Sequence, residues 1–286
     1  MATDFVPPSE TTSVLGIAKN AMIYLLLSAL SLIVLLPVWL TFVRALSPPF
    51  QYIEAGQPLT PVNPDWGVFG EAWRQGNLGR SMALTIGIAL IITLAQLLTS
   101  VMAAYAFAFL EFPFKRSLFV IVLATMLLPI EVTLVANVRT IRELGWLDSV
   151  QGLTAPVLAS AFGMFLLRQS FRSTPKDLKD AARLDGFGHL AFLSRVVVPL
   201  NRPVIGSLAL ITILTSWNTY LWPRAVTIKT EWQTLQLVLR QVSVQQPDQI
   251  NVGVAAAIIS AMPVLVVLIF FQKQIIRGLT AGAVKG

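Results

Sequence analysis

The sequence predicts an all-α polytopic membrane protein, with six transmembrane helices and a polar insert between the fourth and the fifth. Three observations predict it. Of 286 residues, 55% are hydrophobic and only 12% charged, about half the roughly 25% a soluble domain carries, and mean hydropathy is +0.72. A chain so short of charge cannot cover a water-facing surface, so lipid must cover much of it. Six apolar stretches approach the roughly 20 residues that a span needs at 1.5 Å rise each. Lys and Arg are also unevenly divided: one set of alternate connections and termini holds 13 of the 21, and the other connections hold 8. That bias puts both termini and the polar insert in the cytoplasm.

Residues 1–19 form a polar N-terminal segment with Asp4 and Glu10. A basic start running directly into an apolar core is missing, so the first apolar run is expected to stay as an anchor rather than be cleaved. The membrane domain covers 20–277, with spans at about 20–43, 81–110, 117–138, 149–167, 203–223 and 249–272. Residues 278–286 are a cytoplasmic tail. Only Glu131 interrupts the third span with charge, and 149–167 is the shortest of the six. Pro37, Pro129 and Pro263 imply kinks that neighbouring helices must accommodate. The outer connection after the first span is Pro-rich, with a short helix expected at Gly67 to Arg74. Residues 224–248 form the other sizeable outer loop.

The insert, 172–202, holds "STPKDLKDAARLDG". Thr174 is placed to cap a helix, Pro175 suits the first helical position, and Asp177 favours the positive helix end. Leu178, Ala181 and Ala182 fall on one stripe, with Lys176, Lys179 and Arg183 on other faces. Gly186 stands where a left-handed cap is expected. A second short helix, with Leu190, Leu193 and Val197 at helical spacing, runs to Pro199. A solvated connector would gain nothing from a strip of small residues, so the segment reads as a docking element.

"DAARLDG", nine residues and "VVVP" resemble the EAA motif of permease subunits in binding-protein-dependent ABC importers. That pattern is E-A-A, three residues, G, nine residues, I-x-L-P; here Asp180 replaces Glu, Val196 replaces Ile and Val198 replaces Leu. The six-span layout, the closing "GLTAGAVKG" and "SWNTYLWP" are similar to the carbohydrate-uptake branch, the maltose and glycerol-3-phosphate type of second permease. The resemblance implies that the insert is a coupling helix seated in a cytoplasmic ATPase, with Asp180, Ala181, Ala182, Asp185, Gly186 and Pro199 as coupling residues. It implies three partners in a prokaryotic inner membrane: a second permease, a cytoplasmic ATPase dimer and an extracytoplasmic solute-binding protein. It also implies that ATP and Mg are bound by the ATPase, with no cofactor in this chain.

Other signals exclude chemistry. No G-x-x-x-x-G-K-[ST] loop occurs, so this chain should not hydrolyse ATP. One histidine and no cysteine leave no metal cluster, and no G-x-S-x-G context offers a serine nucleophile to His189; an enzyme is not expected. The net charge of +7 reads as basic loops beside lipid and not as nucleic-acid binding. Glu131 either faces a cavity or is hydrated near the outer interface. Trp217, Asn218, Tyr220 and Trp222 are candidates for the substrate path or, equally, for an interfacial belt. At four residues apart, Asn218 and Trp222 would share a helical face. No basic residue lies inside a span, which favours a neutral carbohydrate or polyol. The alternative function is a self-contained secondary carrier or channel using Glu131, which would more often show inverted repeats. A membrane-embedded hydrolase lacks the catalytic groups.

Overall fold

The computed structural model describes residues 14–245 and 249–283; most of the polar N-terminal segment and the last three tail residues lie outside them. All regular structure among the described residues is helical. In chain order the helices are α1 (Val14–Leu46), α2 (Pro49–Glu54), α3 (Gly67–Gln75), α4 (Leu78–Phe109), α5 (Lys115–Ala124), α6 (Ile130–Glu143), α7 (Val150–Thr154) and α8 (Ala161–Arg172). There follow α9 (Lys176–Leu184), α10 (His189–Phe192), α11 (Val198–Leu200), α12 (Arg202–Trp217), α13 (Leu221–Val226), α14 (Leu235–Gln245) and α15 (Ile250–Ala283).

Three of these, α1, α4 and α15, are long and apolar enough to cross a bilayer alone. Three further pairs qualify only if each bent pair counts as one span. The third expected span, 117–138, is one of them: Lys115–Leu127 and Glu131–Glu143 meet at 98°. The break falls at Pro129, which has an extended backbone and sits at the cap position before α6; proline cannot continue the preceding turn, and it pushes the residue before it out of the helical region. The fourth bends by 46° between Val150–Val157 and Ala161–Arg172, where Ser160 caps α8 by accepting from the Gly163 amide at 3.0 Å. The fifth, expected at 203–223, stops at Trp217 and is joined at 79° to His189–Leu200. Pro37 and Pro263, by contrast, lie inside continuous helices. The last helix continues past 277 into the expected tail, and α3 coincides with the short helix expected after the first span.

Helices in lipid gain little from apolar burial, so close approach of small and hydroxyl residues must hold them together. The α4 helix shows this, burying Ser81, Thr85, Ala89, Thr93, Ser100 and Ala104 along one side. Gly163 of α8 is pressed so closely on Ser100 that an added Cβ would overlap its hydroxyl. One core joins the ends of α1 and α3 to α12, α14 and α15. A second ties α4 and α8 to the insert, and a third surrounds Ile92, Leu153 and Trp222. None of the apolar window of α1 is buried within this chain, leaving that helix for lipid or another subunit.

Candidate coupling insert and solute cavity

Helix α9 ends in a complete left-handed cap. The Gly186 amide donates to the Arg183 carbonyl at 3.1 Å and the Phe187 amide to the Ala182 carbonyl at 2.9 Å. These are the two crossed bonds of a Schellman motif, with Gly186 at φ +75°. The other end differs from expectation. Pro175 is the cap position and no side chain bonds there, while the Thr174 hydroxyl is buried without a partner. The chain turns after α8 through a Thr174 amide to Phe171 carbonyl bond, so the helix begins one residue later than the capping pattern suggests.

The expected stripe is split between two faces. Ala182 is only 5% exposed and packs on this chain's own Ala104, Tyr105, Leu167, Phe171 and Phe192. It does not face outward, which corrects the reading of Ala182 as a docking surface. Ala181, Asp180 and Asp185 are exposed, and Leu184 is 90% exposed at the tip. Leu178, Ala181 and Leu184, spaced by three, supply the outward apolar edge. Pro199 is half-buried in α11, just after a π-helical turn at Leu193–Val197. Such a turn inserts an extra residue and often marks functional segments. Sequence reasoning missed Asn201, which closes the insert: its amide donates to the Val197 carbonyl at 2.7 Å and its oxygen accepts from Ser170 at 2.5 Å.

The four candidates in "SWNTYLWP" are not brought together. With α12 ending at Trp217, Asn218 and Trp222 do not share a helical face. The chain breaks before Leu221, which places Pro223 in the first turn of α13, where no intrahelical donor is lost. Trp217 is buried in the core with Ala45, Val68 and Val252. Asn218 is exposed and its amide donates back to the Leu214 carbonyl at 2.8 Å. Tyr220 stacks under the Arg240 guanidinium, 5.6 Å from the ring centre. Trp222 is buried elsewhere, its indole N–H donating to the Gly152 carbonyl at 3.1 Å. Glu131 is exposed in the first turn of α6, at the 98° bend, where a carboxylate complements the helix end.

A cavity of about 330 Å³ opens between α4, the α7–α8 junction, α12 and α13. Its polar lining includes the hydroxyls of Thr85, Thr212, Ser216 and Thr234 and the Gln96 amide; among the described residues, no charged side chain lines it. Gln96 is held at both ends, donating to the Val157 carbonyl at 2.7 Å and accepting from Thr212 at 3.3 Å. The Thr234 hydroxyl is buried without a partner. Of the five path candidates, Glu131 included, only Trp222 lines this space. The missed signal was legible in part: Thr212, Thr215 and Ser216 follow i, i+3, i+4 spacing on an otherwise apolar helix, with Thr219 just beyond its end.

Comparison with known proteins agrees with this arrangement. Residues 96–281 match the family described as the inner membrane component of binding-protein-dependent transport systems. The sn-glycerol-3-phosphate transport system permease protein UgpE of Yersinia pestis bv. Antiqua (strain Antiqua) is 32% identical over 256 residues, covering 87% of this chain and 91% of the relative. That of Rhizobium meliloti (strain 1021) is 30% identical over 270 residues, covering 91% and 96%. Among solved structures, a chain of a bacterial ABC transporter involved in the import of the acidic polysaccharide alginate superposes with a TM-score of 0.77 at 25% identity, over 95% of this chain and 99% of that one. With its helical spans, bent pairs and capped polar insert, this chain belongs to the family of inner-membrane permease components of binding-protein-dependent importers.

Proposed function

We propose that this chain forms half of the path for an uncharged, hydroxyl-rich solute and is driven by a separate cytoplasmic ATPase dimer, which binds ATP and Mg. Both termini lie in the cytoplasm, a second permease completes the path, and an extracytoplasmic binding protein delivers solute to the outer loops. One observation carries the coupling assignment. Helix α9 is fixed to this chain through Ala182 and presents Leu184, 90% exposed, on its other side. The exposed apolar edge of Leu178, Ala181 and Leu184 on a charged insert favours a protein partner, and Asp180 and Asp185 beside it suit cationic groups on that partner. Leu184→Asp should leave the chain inserted, because the side chain is 90% exposed, yet strip the ATPase from the purified complex. Unchanged ATPase recovery would remove the assignment.

Support for an uncharged solute comes from the cavity: hydroxyls and an amide suit polyols, whereas a phosphate would favour Arg or Lys. Reconstituted complex should take up a neutral sugar or polyol in preference to sn-glycerol-3-phosphate; the opposite preference would refute it. A carrier using Glu131 finds no support, since neither Glu131 nor any other ionisable side chain among the described residues lines this space.

A further inference from the structure

The only histidine of the chain, His189, opens α10 directly after the Gly186 turn. Its Nδ1 lies 2.9 Å from the hydroxyl of Tyr105, 84 residues earlier and one turn from the end of α4. The two rings meet edge to face at 75°, with centres 6.0 Å apart. Around them the contact is aromatic: Tyr105 lies 5.2 Å from Phe109 and 6.4 Å from Phe192, and Phe109 and Phe192 meet at 5.5 Å. Packing alone would be served by a third phenylalanine. Tyr105 is 6% exposed, and its hydroxyl adds a directional bond to the packing that Phe192 of the insert already makes with this cluster. A phenol can both donate and accept, so the bond forms with neutral imidazole and with imidazolium.

We propose that Tyr105 and His189 are positioning residues forming a latch, which makes the insert and α4 move as one body. The inference rests on the coupling role proposed above. Helix α4 has 32 residues and is therefore about 48 Å long, with Thr85, Ile88, Ile92 and Gln96 of the same rod lining the cavity. A push on α9 reaches α4 through packing at Ala182 and Phe192, through Lys179 over the Phe109 ring at 5.9 Å, and through the directional bond at His189. The bond resists the sliding and rotation that apolar packing allows.

The test uses the whole complex with its ATPase and second permease. The chain has no cysteine, so Glu111→Cys and Ser194→Cys, both at exposed positions, give a spin-label pair across the latch. With Tyr105 intact, the distance between labels should be the same without nucleotide and after trapping with ATP and vanadate. Tyr105→Phe keeps the ring but loses the bond, so a second distance should appear on trapping, its population raised roughly three- to tenfold as loss of one net hydrogen bond implies. His189→Ala should do the same, and the double variant should be no worse than either single one. In His189→Gln the amide oxygen can accept the bond and should restore the single distance. A trapping-dependent distance in the unaltered pair overturns the latch. So does a single distance in Tyr105→Phe, or a second distance already present without nucleotide. Leu184→Asp separates the two ideas: if it retains the ATPase, docking at α9 fails, while the label distances still judge the latch.

Discussion

Replacing Gly186 isolates a backbone cost from every contact. The residue sits at φ +75°, and a Cβ built on it meets nothing within 4 Å, so a side chain has space and only the left-handed conformation is penalised. For an L-residue that penalty is roughly 1–2 kcal/mol, with alanine near the lower end and a β-branched valine near or above the upper. The cap holds two amide bonds, from Gly186 and Phe187, so the penalty loosens the end of α9 rather than the spans. Opening equilibria should shift about fivefold for Gly186→Ala and about thirtyfold for Gly186→Val. Gly186→Asn should lie closest to the native chain, because asparagine tolerates this conformation. Hydrogen exchange of peptides covering 176–200, in complex purified in detergent, reads these factors directly. ATPase stimulation by loaded binding protein should fall in the same order. Unaltered exchange in the valine variant would refute the cap. Uniform acceleration over the whole chain would refute the claim that its effect is local.

Asn201→Ala removes two side-chain bonds at a buried position and should cost about 2–3 kcal/mol, seen as a lower Tm of the solubilised protein; an unchanged Tm would mean the insert is anchored without it. Trp222→Phe keeps most of the buried ring but frees the Gly152 carbonyl, for a loss of about 1 kcal/mol in the same assay. Thr234→Val replaces an unpartnered buried hydroxyl with a group of similar shape, so folding should be unharmed or improved. Its solute uptake should fall, and normal uptake would exclude Thr234 from the path.

Membrane length and hydropathy were legible because lipid imposes them on any single helix. The Schellman glycine was legible for a similar reason, since its requirement is local. The bends were not. Pro37, Pro129 and Pro263 carry the same chemistry, yet two lie within continuous helices and one at a 98° break; neighbouring groups decide whether the freed carbonyls are satisfied. Ala182 was misdirected by an ambiguity in small residues, which admit close approach from a partner or from the chain itself. The tryptophans of "SWNTYLWP" failed differently. Hydropathy does not register which of two cores an indole enters, and the break before Leu221 removed the face that spacing alone would have given to Asn218 and Trp222.

The two sides of α9 answer to different histories. Ala182 is constrained by Tyr105, Phe171 and Phe192, all encoded in the same gene, so compensating changes there can arise within one chain. Under the docking reading, Leu178, Ala181 and Leu184 are constrained by another polypeptide and must drift in step with it. Exchanging only those three outward residues between related permeases would then alter the choice of ATPase while leaving the inherited interior untouched. Grafting the whole helix would import an inward face fitted to someone else's aromatic cluster.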